Sequence, residues 1–421
     1  MASVILSPDL ICEILRRLSV KDLLRFRCVS KSWCSLIDGS DFIKLHLSHS
    51  VETSTNLSIF LNRCREVNIY SVNIDSLKTA QRLEFPGDES NKGRGFVVLG
   101  SCNGLFVLLK CPNIPLPLFK MWIFKRNDEL YLWNPSTRKS HMLPANEIGF
   151  TPQVFSPPHV WYGFGYDPIS DDYKLVRIVQ SFCLIVDFLE SEVMVYSLKT
   201  NYWRRRKDFP FYVKDARLYS AVHVNNALHW EVSTKLVRNY ENFDADFDVI
   251  AAFDLGTEEY YAIEYPDCLG ERLTTITNVM GGCLCLVATY REVGVDVAVD
   301  IWIMKEYGVK ESWTKIISVK TFKCFQAAPY VLPLLFSKNG DKVLLHVGGM
   351  LFFYDLRSKK ADKVNIDDVP FLCHDVGTTV ESLVPLNGNG AMFNNKNQHG
   401  GKTKRKNTER DDILSKRIHQ V

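Results

Sequence analysis

Along the first 47 residues the apolar positions follow a helical period, and beyond residue 51 they do not. Leu10, Ile14 and Leu18 recur four apart, with Ile11 and Leu15 widening the stripe, as on one face of an α-helix. Ser7 followed by Pro8 marks its start, since a serine cap satisfies an early amide and proline at the first helical position has none to satisfy. Ser19 with Asp22 three residues later predicts a second start, and Leu23, Leu24, Phe26 and Val29 give that helix its apolar side. Ser30 predicts a third helix carrying Trp33, Leu36 and Ile37, and Asp41 caps a fourth carrying Phe42, Ile43, Leu45 and Leu47. Fourteen of these 47 residues are Leu or Ile, more apolar surface than helices this short can hide among themselves. A unit of this size, with neither metal nor disulfide spacing, predicts either a cap on the rest of the chain or a docking surface for another protein.

Past residue 51, β-branched and aromatic runs separated by Pro and Gly predict strands. One pattern recurs: a strand ending in an aromatic, a polar turn, then another strand. The aromatics before the turns are Tyr70, Trp133, Tyr196, Phe253, Trp302 and Tyr354, spaced 49 to 63 residues apart. Periods near 50 are those of propeller blades. Runs such as "GLFVLL", "DYKLVRIV", "NALHWEV", "GCLCLVA" and "DKVLLHV" lie between the markers and fit four strands per blade. The spacing favours six blades, with five and seven also compatible. The stretch "VESLVPL", residues 380–386, is expected to return and pair with the first blade around Ile59, which limits exposed sheet edges.

Composition narrows the function classes. The chain has 421 residues, 46% hydrophobic and 24% charged, as suits a soluble protein of more than one domain. No apolar run approaches the ~18 residues needed to span a bilayer. Pro8, Asp9 and Glu13 break the apolar start before a signal-peptide core could form, so cytoplasm and nucleus are the expected compartments. Twelve scattered cysteines without C-x-x-C pairs read as reduced core residues. The formal charge of +3 is concentrated at the end: residues 388–421 carry eight Lys and Arg against Glu409, Asp411 and Asp412. A nearly neutral body argues against nucleic-acid binding. The tail is expected to be disordered, and its "KTKRK", with Lys402, Lys404, Arg405 and Lys406, is a candidate nuclear import signal of a type that also arises by chance.

Candidate chemistry is sparse. Cys283-x-Cys285 would present two thiols on one strand face, where core packing explains them better than metal binding. "DADFD", residues 244–248, lacks the Gly and terminal Glu of a calcium loop and reads as a solvated loop. Gly163-x-Gly165 precedes a turn at Tyr166-Asp167-Pro168, not a helix, so it does not read as a phosphate loop. His229 reads as a strand residue with one hydrogen bond. Arg204 to Lys207 form either a charge-guarded hairpin edge or a contact for an acidic partner.

The leading segment "LSPDLICEILRRLSVKDLLRFRCVSKSWCSLI" resembles the F-box. Pro8, Leu10, Ile14, Leu15, Leu18, Lys21, Leu23, Arg25, Val29, Lys31 and Trp33 occupy that module's pattern positions, with Ser7, Ser19 and Gly39-Ser40 departing from its common residues. The body resembles the plant F-box-associated domain, a kelch-like repeat region, in "SCNGL", "WNPSTRKSHMLP", "YGFGYDPISDDYKLVRIV" and "WTKI". The fold class implied is α+β multidomain: a small all-α F-box over residues 1–50, an all-β propeller over 51–387 and a basic tail over 388–421. The resemblance implies a non-catalytic substrate receptor of a Skp-cullin-F-box ubiquitin ligase. Pro8, Leu10, Ile14, Leu15, Leu18, Leu23, Leu24, Val29 and Trp33 would supply the Skp-adaptor contacts and the small core, two roles that sequence does not separate. A cullin follows as indirect partner, and propeller loops would hold a protein target. Further likeness in "YGFGYDPISDDYKLVRIVQ", "IWIMKEYGVKESWTKI" and "KNTERDDILSKRI" is to family members associated with turnover of intracellular immune receptors, which makes such a receptor an expected target. No cofactor and no membrane insertion are implied. The alternatives are a Skp-binding scaffold acting outside a ligase and a propeller enzyme with a helical cap; kelch-like propellers include copper oxidases, but a fold alone does not carry chemistry.

Overall fold

The computed structural model describes residues 7–62, 69–85, 95–111, 129–146, 158–183, 188–213, 220–233, 248–270, 272, 274–291, 297–319, 331–368 and 375–386. The basic tail, with its "KTKRK", and residues 244–247 of "DADFD" lie outside them.

Four short helices lead. In α1 (Pro8–Leu15) the Ser7 hydroxyl accepts from the Leu10 amide and proline opens the first turn. Ser19 caps α2 (Val20–Phe26) through the Asp22 amide, and Ser30 caps α3 (Lys31–Ile37) through the Trp33 amide. The fourth start departs from expectation. Gly39, not Asp41, caps α4 (Ser40–Glu52), and Asp41 falls in the first turn, where its charge favours the helix dipole. The bend from α3 to α4 is tight enough that a Cβ on residue 39 would stand 3.1 Å from the Leu36 carbonyl oxygen.

The strands form six antiparallel sheets. Blade 1 holds β1 (Leu57–Asn62), β2 (Ile69–Asn73) and β3 (Ala80–Leu83). Blade 2 holds β4 (Phe96–Cys102), β5 (Leu105–Lys110), β6 (Leu130–Asn134) and β7 (Lys139–Met142). Blade 3 holds β8 (His159–Asp167), β9 (Asp172–Cys183), β10 (Phe188–Ser197) and β11 (Tyr202–Arg206). Blade 4 holds β12 (Tyr212–Val213), β13 (Val222–Val224), β14 (Ala227–Ser233), β15 (Asp248–Asp254) and β16 (Tyr260–Ile263). Blade 5 holds β17 (Thr274–Met280), β18 (Cys283–Arg291), β19 (Val297–Met304) and β20 (Trp313–Val319). Blade 6 holds β21 (Val331–Phe336), β22 (Lys342–Val347), β23 (Met350–Asp355) and β24 (Ala361–Val364). The last strand, β25 (Asp375–Val380), pairs with β1 and supplies the missing first strand of blade 1, so the two ends of the ring are zipped together. The closing partner is as expected but the segment is not: Thr378 stands opposite Ile59, and residues 381–386, expected in the strand, run on beyond it.

All six marker aromatics sit on the third strand of a blade. The turn after that strand repeats a device. Asn134 Oδ1 accepts the Ser136 and Thr137 amides, Asp254 Oδ1 those of Gly256 and Thr257, and Asp355 Oδ1 those of Arg357 and Ser358. Such side chains mimic a backbone turn, and the Ser358 and Arg357 bonds hold the Asp355 carboxyl below its usual range. Between neighbouring blades lie apolar clusters, one at each junction of the ring. Leu175 and Val179 face blade 2 while Val176 and Ile178 face blade 4. Both faces of β9 are therefore buried, which is why "YKLVRIV" reads as a nearly continuous apolar run instead of an alternation. Among the described residues no helix is long and apolar enough to cross a membrane.

Candidate docking surfaces

The helical head folds around Leu15, Val20, Leu23, Ile37 and Phe42, all nearly free of solvent contact. Ile11, Leu18, Leu24, Phe26, Trp33, Leu36 and Ile43 are half-buried around them, and the Phe26 and Trp33 rings meet edge to face at 5.8 Å. The structure thus separates the two roles that the pattern left joined. Leu15 and Leu23 are 0% exposed and hold the helices together; neither presents surface to a partner. Leu18, Leu24 and Trp33 present part of theirs. Pro8 is exposed, as are Leu10 at 46%, Ile14 at 46% and Val29 at 60%. Leu10 and Ile14 are four apart on α1 and project from one side of it. Large apolar side chains left in water on so small a unit are what a docking face requires.

The other side of the head is occupied by the ring. Ile43 and Leu47 of α4 pack on the apolar cluster between blades 2 and 3. Lys44 Nζ meets Asp171 in the turn after β8 at 2.6 Å, and the Tyr166 hydroxyl donates to the same carboxylate at 2.6 Å. The Lys44 and Tyr166 bonds hold Asp171 below its usual range. Asn56, between α4 and β1, donates to Ser50 Oγ at 2.9 Å. These ties set the head against the β8–β9 turn and the junction of blades 2 and 3, so the face of the ring that carries that turn is the covered one.

One buried group in the head responds to pH. His46 of α4 is 0% exposed; its Nε2–H donates to the Leu18 carbonyl at 2.9 Å, and its Nδ1 has no partner. Burial lowers its proton affinity below the ordinary 6.5. The folded ring stays neutral where the unfolded one takes up a proton, so stability is full above pH 6.5 and is lost as pH falls below it. Thermal melts should show that fall in the wild type, and His46→Gln, which keeps a donor for Leu18, should lessen it, the buried His159, His223 and His229 supplying the remainder.

The remaining candidate groups are structural. Cys285 on β18 is wholly buried, which pushes its thiol up and disfavours the thiolate. Among the described residues no group of three His, Cys, Asp or Glu stands together as a metal site needs. Gly163 and Gly165 lie inside β8, and a Cβ on Gly163 would stand 2.8 Å from both Leu228 and Trp230. Absence of side chains there lets blades 3 and 4 approach. His229 makes two hydrogen bonds where one was expected, to the Val222 carbonyl at 3.1 Å and the Tyr307 hydroxyl at 2.7 Å. Burial lowers its pKa to about 4. Arg204 to Arg206 do lie on the outer strand of blade 3, yet Arg204 and Arg206 both reach Glu258 of blade 4, which Lys174 also contacts at 3.2 Å. Arg205, beside Asp208 at 3.4 Å, and Lys207 are the exposed members of the run.

Sequence comparison aligns with this division. Residues 5–45 match the F-box domain, and residues 110–383 match the F-box associated beta propeller domain. The chain is similar to F-box protein CPR1 of Arabidopsis thaliana, 34% identical over 435 aligned residues that cover 97% of each chain. It is also similar to F-box protein At4g22390 of the same plant, 31% identical over 377 residues and 85% of each chain. The F-box/kelch-repeat protein At3g23880, again of Arabidopsis thaliana, is 29% identical over 351 residues, covering 82% of this chain and 85% of that one.

Proposed function

Because this chain belongs to the F-box proteins whose body is the F-box associated β-propeller, we propose that it is the substrate-recognition subunit of a Skp-cullin-F-box ubiquitin ligase. It carries no covalent chemistry. Pro8, Leu10, Ile14 and Val29, with the open parts of Leu18, Leu24 and Trp33, form the face for a Skp-like adaptor, through which a cullin is recruited. The single observation that carries this reading is the apolar side of the head that the ring leaves in water. The target is held at the opposite face of the ring. The head covers the face with the turn at Asp171, whereas longer connections leave the other strand ends, as from Lys110 to Leu130 and from Ser233 to Asp248. Holding a target there keeps its lysines near a ubiquitin-charged enzyme, so rate comes from raised effective concentration. An intracellular immune receptor is the first target to test, on the likeness in residues 162–180, 301–316 and 406–418. Cytoplasm and nucleus are the compartments in which we place it.

The test is reconstitution with adaptor, cullin and charged ubiquitin enzyme. Proteins captured by the propeller should gain ubiquitin chains only when all components are present. Capture of adaptor and target without cullin or ubiquitin transfer would instead make the protein a scaffold.

A further inference from the structure

The six residues after β25 are tied down along their length. The Glu381 amide donates to the Asn56 carbonyl at 2.8 Å, and the Ser382 hydroxyl to the Asn103 carbonyl at 2.6 Å. Asn134, fully buried in blade 2, donates its side-chain amide to the carbonyls of Ser382 at 3.1 Å and Val384 at 2.9 Å. Gly104, at φ +80°, leaves the room this needs, since a Cβ there would stand 2.5 Å from Ser382 Oγ. From this anchored backbone the side chains diverge. Val384 and Leu386 enter the core between blades 2 and 3. Leu383, 8% exposed, enters the core of the head beside Leu15, Val20, Leu23, Ile37 and Phe42. Among the described residues it is the one buried member of that core from outside the four helices.

We infer that residues 381–386 are a latch that couples closure of the ring to completion of the F-box. Zipping of β25 onto β1 delivers Leu383 to the head. A chain whose last strand has not docked has an F-box short of one core residue, and a unit this small has little stability to lose. The docking helices are therefore finished by the segment that follows the last described strand of the ring, although they precede the ring in the chain. The consequence that adaptor capture is reserved for closed rings rests on the docking role proposed above; the latch itself does not.

Hydrogen exchange of the full chain without adaptor tests it. Leu383→Ser should raise exchange in α1 to α3 about tenfold or more while β1, β25 and the other blade strands keep their protection. Leu383→Met should leave the head protected. Asn134→Asp keeps the oxygen that takes the Ser136 and Thr137 amides but loses the donor to the strap, and it should loosen the head from blade 2. Unchanged head exchange in either Leu383→Ser or Asn134→Asp would overturn the latch, as would an equal rise through all blades. An adaptor that failed to bind the wild-type chain would defeat the docking role and leave the latch standing.

Discussion

Replacing Leu10 and Ile14 together by Asp should weaken capture of a Skp-like adaptor by about 100-fold or more, with no loss of the fold. Each side chain is about half exposed, at 46%, and neither belongs to the core of the head. Docking would bury the open halves, and full burial of a leucine or isoleucine is worth about 1.5 to 3 kcal/mol. The double variant forfeits that gain and adds two carboxylates that would have to leave water, so a loss of ~2.7 kcal/mol, which is about 100-fold, is a conservative figure. Titration of the purified chain with adaptor measures it, and the melting curve of the same sample shows that the fold persists. Affinity within a few-fold of wild type would remove the docking face from α1.

Leu15→Asp, one residue along the same helix, should do something different. Leu15 has no exposed surface and sits among Val20, Leu23, Ile37, Phe42 and Leu383. Substitution removes its packing, about 2 to 5 kcal/mol for a buried leucine cut to Ala, and places an unpaired carboxyl in the space. The expected result is melted α1 to α3 on a ring that stays folded, seen as lost helical circular dichroism and protease cleavage confined to the first 50 residues. Adaptor capture would be lost here too, but through unfolding. Intact helices in Leu15→Asp would mean that the core has been misplaced. The pair distinguishes a residue that meets a partner from one that lets the meeting happen.

Much of this architecture was legible in order. Serine caps and four-residue spacing located three of the four helix starts, because caps and periodicity are local. The fourth lies at Gly39 and not at Asp41, in a bend where a Cβ would crowd the Leu36 carbonyl oxygen at 3.1 Å, a contact that only the folded chain shows. Six aromatics at blade-like spacing located six third strands, because each blade repeats one supersecondary unit. "VESLVPL" carries the apolar residues of a strand and was expected to pair as one. Only its first residue does so, since Val384 and Leu386 fill the junction of blades 2 and 3 while Leu383 turns to the head. The arginines at 204 to 206 show the same limit: their charge marks an outer strand, but nothing nearby in sequence announces Glu258.

The chain's own pattern thus determined that a short helical head precedes a ring of propeller blades and that the head carries surplus apolar surface; it favoured six blades over five or seven, and the structure has six. Tertiary structure alone decided which leucines that surplus comprises, which face of the ring the head covers, and that Leu383 completes its core. A period assigns a residue to a face of its own element, whereas partners such as Leu15 and Leu383, or Lys44 and Asp171, stand far apart in the chain and are brought together only by the tertiary fold.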